Sequence, residues 1–302
     1  MKKISLSELD VIYISYDEPN ADENWADLLN KCPWAKRSHG VWGSDACHKA
    51  AAKLSETERF IGIDGDNIIN PDIFNLEIDE PIINSQRVLS WAARNIVNGL
   101  VYGNGGIKSW PVELVMNMRT HEVAEKDAAE VDFCWDLNYI QMDNIYSTVY
   151  NNASPYQAYR AGFREGCKMS LDQGVTIPKD QFFEKIYPAN LKRLLTWCSL
   201  GADVENGLWC IYGARLGCYM TNLTDWDYTL VRDFEYHTKM WDEEIAPKFK
   251  GEDKHCFRSD YSWDELKLIE EISKLGKILR EDFSLNVVSF NPEQSDFIKE
   301  IM

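Results

Sequence analysis

Residues 58–69 read ERFIGIDGDNII. An apolar run, Phe60, Ile61 and Ile63, delivers two carboxylates, Asp64 and Asp66, one residue apart around Gly65. In an extended chain residues i and i+2 point to the same side, and a glycine between them lets a ligand approach the backbone. Two carboxylates converging at a strand end hold a divalent cation of the Mg²⁺ or Mn²⁺ type, which usually shares such a pair with substrate phosphates. Asp-Gly is also an ordinary turn dipeptide, so the surrounding chain has to decide. An EF-hand loop is excluded, because Ile68 and Ile69 stand where a ligand and a glycine are required.

The flanking pattern predicts an α/β fold. Residues 10–17 (DVIYISYD) read as a first strand, 21–31 as a helix with Trp25, Leu28 and Leu29 on one face, and 36–41 as a second strand. Ser44 or Asp45 caps a helix rich in alanine, and the strand at 60–64 follows. Ligands of such sheets gather at the C-terminal strand ends, which places Tyr16, Asp17 and Glu18 near Asp64 and Asp66. Further strands are expected at 82–84, 87–91 and 112–117. Between the last two, GLVYGNGGIKSW (99–110) reads as a flexible loop through Gly103, Gly105 and Gly106. Helices are expected at 155–171, 178–198 and 264–283. The chain is read as a mixed, Rossmann-like sheet flanked by helices over residues 1–230, with a helical C-terminal extension over 231–302.

Composition narrows the function classes. The 302 residues are 45% hydrophobic and 12% aromatic, which describes a globular chain with ample core. No run of eighteen apolar residues predicts a membrane span, and Glu8 and Asp10 interrupt the N-terminal apolar stretch, against a signal peptide. Eight scattered cysteines without metal-type spacing read as reduced thiols of a cytoplasmic protein. A net charge of −17 argues against broad binding to nucleic acid, though a local basic patch can still exist.

A second carboxylate group stands in GADVENGLWCIYGARLG (201–217), where Asp203 and Glu205 head a helix. The helix dipole explains acids there without any chemistry; alternatively, one of them serves as a general base. His237 and His255 are the downstream candidates for a further metal ligand, against the ordinary role of a hydrogen-bonded histidine.

FIGIDGDN resembles the DxD motif of GT-A-fold nucleotide-sugar glycosyltransferases. ISYDEP is similar to the strand end where those enzymes hold base and ribose, and ADVENGLWCIYGARLG to their acid-headed helix, although a valine separates Asp203 from Glu205. The likeness covers roughly residues 10–217. SYDEPNADENW and KRSHGVWGSDACHKAAAKLSETERFIGIDGDN look closer still to glycosyltransferase-like proteins of T-even-type bacteriophages and cyanophages, a group that decorates 5-hydroxymethylcytosine in DNA with glucose or arabinose. The resemblance implies a Mn²⁺ or Mg²⁺ ion on Asp64 and Asp66, with His237 as the further ligand. It implies a UDP-sugar donor (UDP-arabinose or UDP-glucose), its nucleoside held by Ser15, Tyr16, Asp17 and Glu18. Gly65 lies beneath the donor, whose diphosphate faces Ser44 with Arg37, His48 or Lys49. Asp203 or Glu205 is the base.

A DNA acceptor gains one sequence argument. Arg160, Arg164 and Lys168 recur at i, i+4 and i+8 on one helical face, a stripe that can track a phosphate backbone or simply be solvated. On that reading Asn104, Gly105 and Gly106 form an acceptor-side loop, and Trp110 or Trp209 stacks on a flipped base. Two other classes stay open: a phosphatase of the haloacid-dehalogenase type, whose DxD normally follows the first strand, and a non-enzymatic acidic interaction protein.

Overall fold

Short apolar runs alternate with amphipathic segments over the first sixty residues, and they fold accordingly. Strand β1 (Lys3–Ser5) precedes β2 (Asp10–Ser15), α1 (Ala21–Lys31), β3 (Lys36–His39), α2 (Ser44–Leu54) and β4 (Arg59–Asp64). β2 pairs in parallel with β3 on one side and β4 on the other. Its alternation sorts Val11 and Tyr13 to the face covered by Leu28 and Trp25 of α1, and Ile12 and Ile14 to the face covered by Ala51 and Ala52 of α2. Gly43, at φ 91°, occupies the cap of α2 rather than Ser44 or Asp45.

The computed structural model describes residues 2–120, 139–251 and 262–302; His255, Cys134 and Cys256 lie outside them. It divides into two compact units, Met1–Ala153 and Ser154–Met302, so the expected boundary near 230 falls inside the second.

The first unit continues with β5 (Asn67–Ile69), β6 (Glu77–Asp79), α3 (Glu80–Ile83), β7 (Val88–Asn95), β8 (Val101–Pro111), α4 (Val112–Asn117) and β9 (Tyr139–Val149). Among the described residues its sheet has seven strands in the order β3-β2-β4-β8-β7-β9-β5, with β8 antiparallel to both neighbours and β5 antiparallel to β9. Three sequence expectations are corrected here. Residues 112–117 are helix, because a short apolar run has no periodicity of its own to decide between helix and strand. Residues 82–84 fall largely in α3. The expected loop at 99–110 is mostly the central antiparallel strand β8.

The sheet is curled, and connectivity shows why. Only Gly65 and Asp66 separate β4 from β5, so the two strand ends lie within about 11 Å along the chain. Three strands stand between them in the sheet order, which in a flat sheet would be about 19 Å. The far edge therefore rolls back until β5 meets β8: a Cβ on Gly106 would overlap the Asn67 side chain.

The second unit is helical. Its elements are α5 (Pro155–Lys168), a short hairpin of β10 (Leu171–Asp172) and β11 (Val175–Thr176), α6 (Phe182–Lys185), α7 (Pro188–Trp197), α8 (Gly207–Leu223), α9 (Phe234–Met240), α10 (Ala246–Phe249), α11 (Glu265–Phe283) and α12 (Pro292–Ile301). The helix expected over 178–198 is broken, since Pro188 begins a new one. α5 and α8 touch through glycine on both sides: Gly162 and Gly166 lie against Cys210 and Ala214, Gly213 and Gly217 against Tyr159 and Phe163.

Among the described residues each unit buries one arginine that answers backbone carbonyls. Arg59 donates to Ile83, Ser85, Arg87 and Ser109. Arg215 donates to Cys198, Ile272 and Val288 and to the Ser289 hydroxyl. Burial lowers both guanidinium groups to about 10. Among the described residues no helix is long and apolar enough to cross a membrane, and none of the six described cysteines is in a disulfide.

Candidate functional site

The seam where the curl closes is the turn Asp64–Gly65–Asp66, at the carboxyl end of β4. Two side chains hold it from below: the Tyr13 hydroxyl lies 2.6 Å from the Gly65 carbonyl, and Asn24 Nδ2 donates to the same oxygen at 2.9 Å. The Asp66 carbonyl accepts from the Tyr150 N–H at 2.7 Å. Gly65 has to be glycine, because a Cβ would come within 2.9 Å of Glu18 Oε2 and of Ser15 Cβ. Glu18 is drawn in by the Tyr16 N–H at 2.8 Å. Three carboxylates, Glu18, Asp64 and Asp66, thus gather around one glycine.

Electrostatics at this turn are one-sided. Burial first, then the charges of Asp64 and Glu18, push the Asp66 carboxyl up to about 7, against the opposing hydrogen bond from Asn67. Among the described residues no basic side chain forms an ion pair with Asp66. Asp64 is nearly half exposed, with Lys108 Nζ 4.0 Å from its carboxylate. Asn67 leaves its own Oδ1 buried without a hydrogen-bond partner among the described residues. These donors suit a hard cation. Among the described residues no group of three or more His, Cys, Asp or Glu side chains is placed to hold a metal ion. A Mg²⁺-like ion would therefore take one or both aspartates and complete its shell with phosphate oxygens and water.

Around the turn, the structure brings some expected residues to the site and withdraws others. Ser15 is buried at the end of β2, where Arg37 Nε donates to its hydroxyl at 3.1 Å. Arg37 also donates to His39 Nδ1, which must therefore accept from Ser15 as well. Arg37 is further engaged by Asp22 at 2.8 Å. Tyr16 is exposed and meets Trp42 with ring centroids 5.4 Å apart; Asp17 is exposed beside it. Ser44 opens α2, but His48 turns inward, its Nδ1 donating to the Ser44 carbonyl and its ring against Trp110. Lys49 is tied to Asp45 at 2.7 Å.

Both tryptophans expected to stack on a ligand are interior. Trp110 is 1% exposed beneath α2, and Trp209 is enclosed by Tyr212, Trp241, Phe249 and Trp263. Gly105 and Gly106 are buried within β8, where the pairing with β7 is interrupted between Ile107 and Tyr102, and the backbone of Asn104 belongs to the same strand. Their glycines serve close approach: Gly105 to the backbone of Trp91 and Ala93, Gly106 to Asn67.

The remaining expected residues belong to the second unit. Asp203 and Glu205 lie in the turn before α8, which begins only at Gly207 behind Asn206 at φ 55°. Asp203 is ion-paired with Lys299 of α12, both nearly buried; Glu205 is exposed. On α5, the guanidinium groups of Arg160 and Arg164 lie over the Phe234 ring, 5.4 Å from its centroid, and Lys168 pairs with Glu165 at 3.2 Å. The stripe is thus partly covered by its own unit.

His237, expected as a metal ligand, is fully buried, with Nε2 donating to the Val231 carbonyl at 2.9 Å and the Phe163 and Tyr236 rings against it. Burial holds its imidazole down at about 4, from an ordinary 6.5. Between these values the unfolded chain takes up a proton that the folded one refuses, so the second unit should lose about 3 kcal/mol as pH falls from 6.5 to 4. Urea unfolding followed across that range, against His237→Gln, checks this; equal slopes for both proteins would refute it.

Lys108, Asn67 and Asn24 were not anticipated. The one legible signal was Lys108, a single charge inside the apolar run GGIKSW; the two amides gave none.

Comparison with models of known protein families and with curated proteins finds no match. The class that fold and site define is an α/β protein with a curled, mixed sheet, a carboxylate cluster at the ends of its parallel strands, and C-terminal helices.

Proposed function

We propose that this chain is a divalent-cation-dependent glycosyltransferase of GT-A type, taking its sugar from a nucleotide diphosphate donor. One observation carries the reading: Asp66 is forced beside Asp64 and Glu18, at a carboxyl end of the parallel strands, with no basic side chain bonded to it among the described residues. Folding brings these like charges together at a cost, and a cation would offset it. Such an ion would neutralise charge on a departing diphosphate.

The chain's own residues supply the rest. Asp64 and Asp66 hold the cation, Gly65 leaves the space, and Ser15, Glu18 and the exposed pair Tyr16 and Trp42 border the same strand end. His237 is not carried forward as a ligand, since its Nε2–H is engaged by the Val231 carbonyl and the whole ring is buried in the second unit. The acceptor is proposed only as a hydroxyl, because α5 in its folded form lends no support to DNA in particular.

The test is release of UDP from a panel of UDP-sugars with Mn²⁺ or Mg²⁺, with and without 5-hydroxymethylcytosine DNA. Metal-dependent release is expected, and Asp64→Asn should reduce it at least a hundredfold. Release that is insensitive to EDTA, or silence across UDP-, GDP- and dTDP-sugars, would overturn the reading. Stimulation by the DNA would extend it to that acceptor.

A further inference from the structure

Lys108 sits in mid-strand, opposite Gly62 of β4 and Ser90 of β7. Residues 108 and 110 of β8, and 60, 62 and 64 of β4, share one face of the sheet. The lysine stem therefore leaves on the side of Phe60 and Trp110 and runs toward Asp64. It is 7% exposed. Its ammonium donates to the Gly105 carbonyl at 2.9 Å and stops 4.0 Å from Asp64 Oδ2.

An ammonium has three donors. Among the described residues one is used, and 4.0 Å is too long for the second. A buried cation answered so incompletely is costly unless an anion completes its shell. The cations expected to face a diphosphate are committed elsewhere: Lys49 to Asp45, and Arg37 to Asp22 and Ser15.

We propose that Lys108 is the phosphate-contacting group of the site, meeting a diphosphate oxygen while Asp64 and Asp66 take the cation. The inference rests on the cation-dependent reading above. A dry ammonium already in place stabilises charge that develops on the departing phosphate without reorganising at the moment of transfer.

The experiment is titration calorimetry of the full chain with UDP, uridine and inorganic pyrophosphate in Mn²⁺, and with Mn²⁺ alone, for wild type, Lys108→Met and Lys108→Arg. Lys108→Met should bind UDP and pyrophosphate at least tenfold more weakly, with uridine and Mn²⁺ binding no weaker and the melting temperature no lower. Lys108→Arg should recover part of the phosphate affinity. Equal UDP affinity in Lys108→Met and wild type overturns the role of Lys108 and leaves the cation site standing. A parallel loss of uridine and Mn²⁺ binding with a lower melting temperature also overturns it, by showing a structural lysine. Failure of the wild type to bind either phosphate probe in Mn²⁺ removes the underlying reading itself.

Discussion

Replacing Asp66 by Asn is expected to stabilise the protein at pH 8 by about 2 kcal/mol while abolishing cation-dependent phosphate binding. The Asp66 carboxyl stands at about 7 in the fold, against an ordinary 3.8. Between those values the folded chain keeps a proton that the unfolded chain has released. Raising the pH through that window therefore favours unfolding, and the penalty is complete above about pH 7. The whole displacement corresponds to about 4 kcal/mol; Asp66 retains some contact with water, and screening reduces this to about 2. Asn cannot ionise and keeps the shape, so the gain should appear at pH 8 and vanish near pH 4. Denaturant unfolding at the two pH values, without divalent cations, makes the comparison. If Asp66→Asn is less stable than wild type at pH 8, the carboxylate is a structural anchor and the cation argument loses its support.

Gly213→Ala is expected to cost about 3 kcal/mol or more, although the same change in an exposed helix would gain about 1 kcal/mol from propensity. The new Cβ would overlap the Tyr159 carbonyl. Backbone cannot turn aside as a side chain can, so the helices must separate and lose packing along the seam. Gly162→Ala, which meets the Cys210 carbonyl from the other helix, should behave alike. Thermal unfolding with circular dichroism reads both. A melting temperature at or above wild type in either variant would mean that α5 and α8 do not approach through these glycines.

The parts of the fold legible in the sequence are those whose local pattern agrees with their tertiary role. The expected α1 spans Ala21–Lys31, and β2 and β4 stand within a few residues of expectation, because their apolar spacing is also their burial pattern. β8 was misread because Gly103, Gly105 and Gly106 have a turn composition, yet two of them are demanded by partners distant in sequence, Asn67 and the β7 backbone. The acids before α8 looked like a helix cap, but Asp203 answers Lys299, almost a hundred residues on. At the candidate site the Asp64–Gly65–Asp66 turn could be read directly. Lys108 could not be assigned to it, since only the strand order carries that lysine to Asp64.

Arg215 gives the C-terminal segment a consequence for proteolysis. Its guanidinium grips α11 at Ile272 and the chain beyond it at Val288 and Ser289. A protease that cuts between Phe283 and Val288 would leave both fragments clasped to the same buried cation, so nicked protein should still behave as one particle in size-exclusion chromatography. A chain shortened to Phe283 would instead lose two of those acceptors and Lys299 together, and should be digested further.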